Sequence, residues 1–297
     1  MAAEGTDGAA AGSSLTGMPR SVPLALHEQS PRDGHNAGVR PDGITPQRAR
    51  PASLPPHAPL SEYYSNEDEH ERFVRHMFDA TAVDYERVER LLAWGTGSWY
   101  RRQALRRAGL KPGMQVLDVG TGTGLLARQA LVLCGAQGSL TGVDPSAGMM
   151  AQAHLPRASM LQGRAEALPC VDAASDFLCM GYALRHLSDL DQALSEFLRV
   201  LRPGGRLLML EITRPRSALA QWALKAYMRT LVPVAARLVT QRADTATLWR
   251  YYWDTIEACI TPNQVLDAMR RAGFVEIDQH VELGIFREYT ACKPGPA

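Results

Sequence analysis

Two carboxylates and three glycines carry most of the chemical information in this chain. The run Val116-Leu117-Asp118-Val119-Gly120-Thr121-Gly122-Thr123-Gly124-Leu125-Leu126 reads as a buried strand that enters a glycine-rich turn and then a helix. Glycine at 120, 122 and 124 lets the backbone come close to a ligand and permits positive φ. Alone the loop is ambiguous, because Gly122-Thr123-Gly124-Leu125-Leu126-Ala127 also fits the looser dinucleotide pattern GxGxxA. Asp118 separates the two readings. Two residues before the first glycine, a carboxylate would repel a pyrophosphate, yet it can receive the ammonium group of an amino-acid-like ligand without phosphate. Asp144 lies 20 residues after Gly124, at a strand end where it can accept both hydroxyls of a ribose. A nucleoside with an amino-acid arm satisfies both acids, and S-adenosylmethionine is such a molecule. Helix capping or turn chemistry is the structural alternative for each acid.

Strand ends converge only in a scaffold that aligns them. Short β-branched or leucine-rich runs at 115–119, 139–143, 175–180 and 206–212 alternate with amphipathic stretches near 125–133, 147–154 and 190–201. This alternation predicts an α/β fold with a doubly wound parallel sheet and helices on both faces. A helix over residues 73–92 precedes it, carrying Phe78, Val88, Leu91 and Leu92. Residues 274–277 and 285–291, flanking Gly284, read as a hairpin that closes the sheet edge. Nine of the 19 prolines fall in the first 60 residues among Gly, Ala and Ser. Such a composition buries too little to offset ordering entropy, so residues 1–68 are expected to be a disordered leader and 69–297 one domain.

With 32 basic and 31 acidic side chains the formal charge is +1, which leaves no broad positive field for nucleic acid. Five scattered cysteines without a CxxC pair argue against a disulfide scaffold or zinc ribbon and point to a reducing, cytoplasmic compartment; no metal site is expected. There is no apolar run of the roughly 20 residues that a membrane span needs, and no secretory signal.

Beyond the loop, further segments carry a resemblance. They are Phe78-Asp79 with Ala82 and Tyr85-Glu86, then Leu91-Leu92, Gly95 and Trp99-Tyr100-Arg101. Farther on come Gly163-Arg164-Ala165-Glu166-Ala167-Leu168-Pro169, Tyr182-Ala183-Leu184-Arg185-His186, and Arg199-Val200-Leu201-Arg202-Pro203-Gly204-Gly205-Arg206. Residues 77–293 resemble class I S-adenosylmethionine-dependent methyltransferases, and the ubiquinone/menaquinone C-methyltransferase group in particular. The resemblance implies a Rossmann-like, seven-stranded, mostly parallel sheet with one antiparallel strand. It implies cofactor contacts at Thr123 in the loop, Asp144 at the ribose, Arg164 and Ala165 near the adenine, and Gly181 beside the sulfonium, to which the reading of the loop itself adds Asp118, Gly120 and Gly122. Arg164 stands where the group has Asp or Asn, Gly181 where it has a small hydroxyl residue, and His186 where it has Asn.

Methyl transfer from a sulfonium needs chiefly an aligned acceptor in its nucleophilic form. For a ring carbon of a quinol, that form appears when a neighbouring phenol loses its proton. Arg185, which stays protonated, is expected to orient a water and stabilise the developing phenolate. A surface ion pair with Asp189 or Asp191 is its alternative. His186 has the ordinary pKa of a general base, and its alternative is a loop or capping hydrogen bond. Residues 217–260, with Trp222, Tyr227, Trp249, Tyr251, Tyr252 and Trp253, suit a pocket for a lipophilic acceptor. Lys225, Arg229 and Arg237 among apolar residues suggest a peripheral membrane contact at 219–239. The expected activity is methylation of a small lipophilic aromatic or quinol acceptor, at carbon in the leading reading. O- or N-methylation of another metabolite, a nicotinamide-dependent oxidoreductase and a non-catalytic binding protein are the competing readings.

Overall fold

The computed structural model describes residues 54–92, 96–240 and 243–295. Seven strands form one sheet: β1 (Gln115–Val119), β2 (Ser139–Asp144), β3 (Ala158–Gln162), β4 (Ser175–Gly181), β5 (Leu201–Ile212), β6 (Val275–Glu282) and β7 (Phe286–Cys292). Their order is β3-β2-β1-β4-β5-β7-β6. Only β7 runs antiparallel to its neighbours. The expected mostly parallel sheet with one antiparallel strand is therefore present, and its order reverses at β1 and β4. Loops leaving the carboxyl ends of those two strands diverge to opposite faces and leave a crevice between them.

Apolar side chains on both faces explain why β1 is central. Leu117 and Val119 join a core with α5 (Leu190–Val200) and α9 (Pro262–Ala272). Val116 joins a second core with α2 (Gly97–Arg107) and α3 (Leu125–Cys134). Strands covered on both sides read as continuous apolar runs, and β1, β4 and β5 do. Asp189 starts α5 by accepting from the backbone N–H groups of Asp191 at 3.0 Å and Gln192 at 3.2 Å. Thr261 and Gln264 form a reciprocal capping box on α9, with Pro262 in its first turn.

A third apolar cluster, rich in aromatic side chains, caps the carboxyl end of the sheet. It joins α1 (Glu67–Leu92) to α6 (Ala218–Ala226), a π-helical turn at Tyr227–Leu231, α7 (Val232–Thr240) and α8 (Ala243–Ala258). Asp79 of α1 accepts from Ser146 Oγ and from the Gly148 backbone at 2.8 Å, tying the cap to the loop after β2.

Several boundaries differ from the sequence expectation. Helix α1 begins at Glu67, six residues early, because Asn66 Oδ1 accepts from the Glu69 backbone at 2.9 Å and acids fill the first turn. The expected leader boundary at 68 thus falls inside a helix, while residues 1–53 lie outside the described residues. Residues 54–66 pack on the domain. Leu54 O accepts from Leu190 N at 3.0 Å, Pro56 O accepts from Ile260 N at 2.7 Å, and Tyr64 is buried. Strand β3, absent from the expectation, is a largely exposed edge with no apolar run to announce it. In the hairpin it is the second strand, β7, that pairs with β5, so β6 becomes the exposed edge. All five cysteines are free.

Candidate active site

A cavity of about 420 Å³ opens in the crevice at the carboxyl ends of β1, β2 and β4. Its floor at one end is the glycine loop. Gly120 has φ +67, and a Cβ there would sit 2.6 Å from the Ala183 Cβ, so only glycine lets the loops after β1 and β4 approach this closely. Gly122 has φ +56 and donates its N–H to Asp144 Oδ2 at 2.8 Å. Asp144 Oδ1 accepts from Ser146 N at 2.8 Å. Two backbone donors therefore hold this carboxylate at the cavity wall, with lone pairs left over for a diol. Burial pushes its pKa up to about 6. Thr123 also lines the cavity, and its buried Oγ1 has no partner among the described residues.

Asp118, expected to receive the ligand's ammonium group, lies outside the residues that line the cavity. Its side chain lies beneath the loop, 1% exposed and outside the cavity wall. Oδ1 accepts from the Cys179 thiol at 3.3 Å, Oδ2 has no partner among the described residues, and burial pushes the pKa up to about 7. In this position its carboxylate braces the loop from below through Cys179.

At the far side of the loop, Gly163, Arg164 and Ala165 follow β3 and line the cavity. Arg164 pairs with Glu71 of α1, approaches Glu166 at 3.5 Å and donates to Ser188 Oγ at 3.3 Å. Its guanidinium thus clamps the helical cap to the sheet. The Glu166 carboxylate accepts from Ser188 N at 2.7 Å and is already engaged by the protein. Gly181 ends β4 at the wall, where a Cβ would meet Leu126 at 3.2 Å. Tyr182 follows with φ 60, a left-handed conformation rare for a bulky residue. Arg101, to which sequence reasoning gave no role, lines the same end, pairs with Glu89 at 2.7 Å and lies 5.5 Å from the Tyr182 ring centroid.

The opposite end is aromatic. Phe78, Tyr85, His186 and Tyr252 line it, and the Tyr85 and Tyr252 hydroxyls meet at 2.8 Å. Arg185 does not line the cavity. It sits behind Tyr252, its guanidinium carbon 4.4 Å from the ring centroid, fully buried and paired with Glu211. The alternative of a surface ion pair is not what forms: Asp189 caps α5, and Asp191 pairs with Arg271 at 2.8 Å. Arg185 Nε and Nη2 have no partner among the described residues. His186 packs against Phe78, Tyr251 and Tyr252 with ring centroids 5.3, 5.5 and 5.7 Å away, and neither ring nitrogen has a partner among the described residues. Burial, and then the Arg185 charge, hold its pKa well below the usual histidine value, so the imidazole is neutral. Tyr252 belongs to the aromatic stretch read as suiting an acceptor pocket, whereas Glu211 went unassigned from sequence, although an acid inside the apolar run Leu207-Leu208-Met209-Leu210-Glu211-Ile212 is itself a signal that a buried partner exists.

The nucleoside end fits S-adenosylmethionine. It offers an unpartnered threonine hydroxyl, a loop that can approach the ligand through glycines, and a pinned carboxylate with spare lone pairs. A model of the ubiE/COQ5 methyltransferase family matches residues 65–293. The chain belongs to that family. A demethylmenaquinone methyltransferase of Symbiobacterium thermophilum is 30% identical over 221 residues, 71% of this chain and 88% of the relative. The ubiquinone/menaquinone biosynthesis C-methyltransferase UbiE of Hahella chejuensis is 31% identical over 213 residues, 69% and 84% of the two chains. Among solved structures, a SAM-dependent methyltransferase of Thermotoga maritima, described as a possible histamine N-methyltransferase, aligns with a TM-score of 0.53. It is 23% identical, covers 74% of this chain and 99% of that one, and supports the fold alone. The protein is thus an S-adenosylmethionine-dependent methyltransferase, and the oxidoreductase reading falls away.

Proposed function

We propose that this methyltransferase alkylates a ring carbon of a lipophilic quinol, with His186 as the group that takes up the phenolic proton. The observation that carries the reading is the His186 imidazole, both nitrogens without a partner among the described residues, set in an aromatic wall at the end of the cavity away from the nucleoside loop. A flat ring in the cavity would meet the wall of Phe78, Tyr85 and Tyr252, where offset or edge-on contacts each contribute about 1 kcal/mol.

When bound, S-adenosylmethionine supplies a methyl group on a positively charged sulfur, already activated for in-line displacement. Asp144, Thr123 and the backbone around 164–165 would hold the nucleoside and its arm. His186 accepts the hydrogen bond of the acceptor hydroxyl, then its proton. In the free enzyme the Arg185 charge opposes an imidazolium, but the phenolate formed by proton transfer supplies the compensating negative charge beside it. Arg185 is a positioning residue here. Locked by Glu211 behind Tyr252, it biases the pocket toward an anionic ring without touching it. The ring carbon next to the phenolate would take the methyl group as the carbon–sulfur bond breaks to leave the neutral thioether, and its own proton would pass to solvent as aromaticity returns.

The test is incubation with S-adenosylmethionine and a reduced, ring-demethylated quinol, with product carbon connectivity read by NMR. A new ring C–CH3 supports the reading, and a methoxy product overturns it. Replacing His186 with Ala is expected to lower kcat by about 10²–10⁴-fold while leaving S-adenosylhomocysteine affinity unchanged.

A further inference from the structure

We propose that α6, with the arginines just before it, docks on an anionic phospholipid surface. A helix of a folded domain ordinarily buries one stripe, but α6 buries none of its residues. Its sequence is Ala-Leu-Ala-Gln-Trp-Ala-Leu-Lys-Ala, and residues 216–223 are all exposed, with Leu219 at 74% and Trp222 at 68%. Leucine and tryptophan one turn apart on an uncovered helix match the apolar face of an interfacial helix, with the indole at headgroup depth.

Charge identifies the occupant. Between Glu211 and Asp244 there is no acidic residue, while Arg214, Arg216, Lys225, Arg229, Arg237 and Arg242 all fall in that stretch. The structure then sorts these cations. Lys225 pairs with Glu257 at 2.8 Å and Arg229 approaches Asp254 at 3.7 Å, so α8 neutralises both. Arg214 and Arg216 are exposed and have no ion pair among the described residues. They border a cleft of about 370 Å³ together with Arg287, whose guanidinium, among the described residues, bonds the neutral Gln279 and Thr213. The nearest acid in register with Arg287 is Glu211, and its carboxylate is held by Arg185. Uncompensated guanidinium groups in a cleft next to an uncovered apolar helix fit a phosphodiester headgroup with acyl chains beside it. A second copy of this chain would present the same positive surface and be repelled. Leu224 and Ile212 root this region in the aromatic cluster that also contains Phe78 and Tyr85, so the docked face is continuous with the acceptor end of the cavity.

The experiment is vesicle flotation of the full chain, comparing phosphatidylcholine alone with vesicles containing about 30% phosphatidylglycerol. The expected result is flotation with the anionic vesicles only, lost between about 0.1 and 0.5 M salt. Replacing both Arg214 and Arg216 with Gln should weaken binding about 30-fold, near fivefold for each cation at the surface. Leu219→Ser with Trp222→Ser should weaken it at least tenfold, whereas Leu283→Ser, which removes an exposed apolar side chain on the β6–β7 turn, should not. Circular dichroism and S-adenosylhomocysteine affinity unchanged in these variants would show that the fold and the cofactor site are intact. Equal binding to neutral vesicles, no binding to either, or displacement by millimolar glycerol phosphate would overturn the proposal. So would a sedimenting dimer that the Leu219 and Trp222 replacements dissociate.

Discussion

Replacing Asp118 with Asn tests whether the loop acid is a ligand contact or a buried brace. Its folded pKa is about 7 against an ordinary value of 3.8, with burial as the leading cause. For a carboxyl group raised in the folded state, the unfolded chain releases its proton first. Stability is therefore lost as pH rises from about 4 to 7. With about 1.4 kcal/mol per unit, the ionisation penalty is about 1.7 kcal/mol at pH 5 and about 4 kcal/mol at pH 8. The amide carries no such penalty and can still accept from the Cys179 thiol. Its stability relative to the parent should therefore grow by about 2.5 kcal/mol between the two pH values, roughly 5–10 °C in melting temperature for a domain of this size. Differential scanning calorimetry at pH 5 and pH 8 reads the trend, and isothermal titration with S-adenosylhomocysteine reads the site. Affinity within about threefold of the parent is expected, because the group does not line the cavity. A pH-independent difference would refute the burial argument, and affinity reduced a hundredfold in a well-folded variant would restore the ligand role read from the sequence.

Other substitutions probe the remaining parts. Asp144→Ala should weaken S-adenosylhomocysteine binding at least tenfold. In the parent, affinity should fall as pH drops through about 6, where the carboxyl protonates and loses acceptor capacity; calorimetric titration across pH checks both. Gly120→Ala forces positive φ and a contact of 2.6 Å, and should cost about 2 kcal/mol or more by thermal melting. Gly273→Ala, left-handed at φ +98 and ψ 14 but with only an ordinary contact at 3.6 Å, should cost only about 1 kcal/mol. Glu211→Gln leaves a buried guanidinium without its counter-charge and should destabilise by about 3–5 kcal/mol, whereas Arg185→Met combined with Glu211→Leu should recover stability in urea denaturation without recovering methyl transfer.

What could be read from the sequence was what lies close together along the chain. The glycine loop, its strand and its helix are one continuous segment, so the spacing from Asp118 to Leu126 displayed the turn directly, and Asp144 follows within the next strand. The parallel sheet was legible because its central strands are apolar on both faces. Strand β3 was not, since an edge strand with one wet face lacks that pattern. The burial of Asp118 beneath the loop was not legible, because a local pattern says which end of a strand a residue occupies but not whether its side chain points above or below the loop. The Arg185 and Glu211 pair joins residues 26 apart, and Tyr252 comes to the same place from α8. Such meetings are set by helix packing, which single-sequence periodicity does not encode. Asn66 and the acids after it were a legible start signal for α1 that proline content overshadowed.

The segment before α1 has a consequence for how the molecule is made. Leu54 bonds Asp189 across 135 residues, and the Pro56 carbonyl meets Ile260 farther along still. On the ribosome, the loop at Gly120 and its flanking strands emerge long before Ile260 exists. The segment ahead of α1 must thus wait for its partners, the acceptor half is sealed only when α8 has been synthesised, and the core beneath β1 is closed by α9 later still. Contacts of such sequence separation form slowly because a long loop must close first. Nascent chains of this protein should therefore gain a stable nucleoside site only once α9 and β7 have left the ribosome.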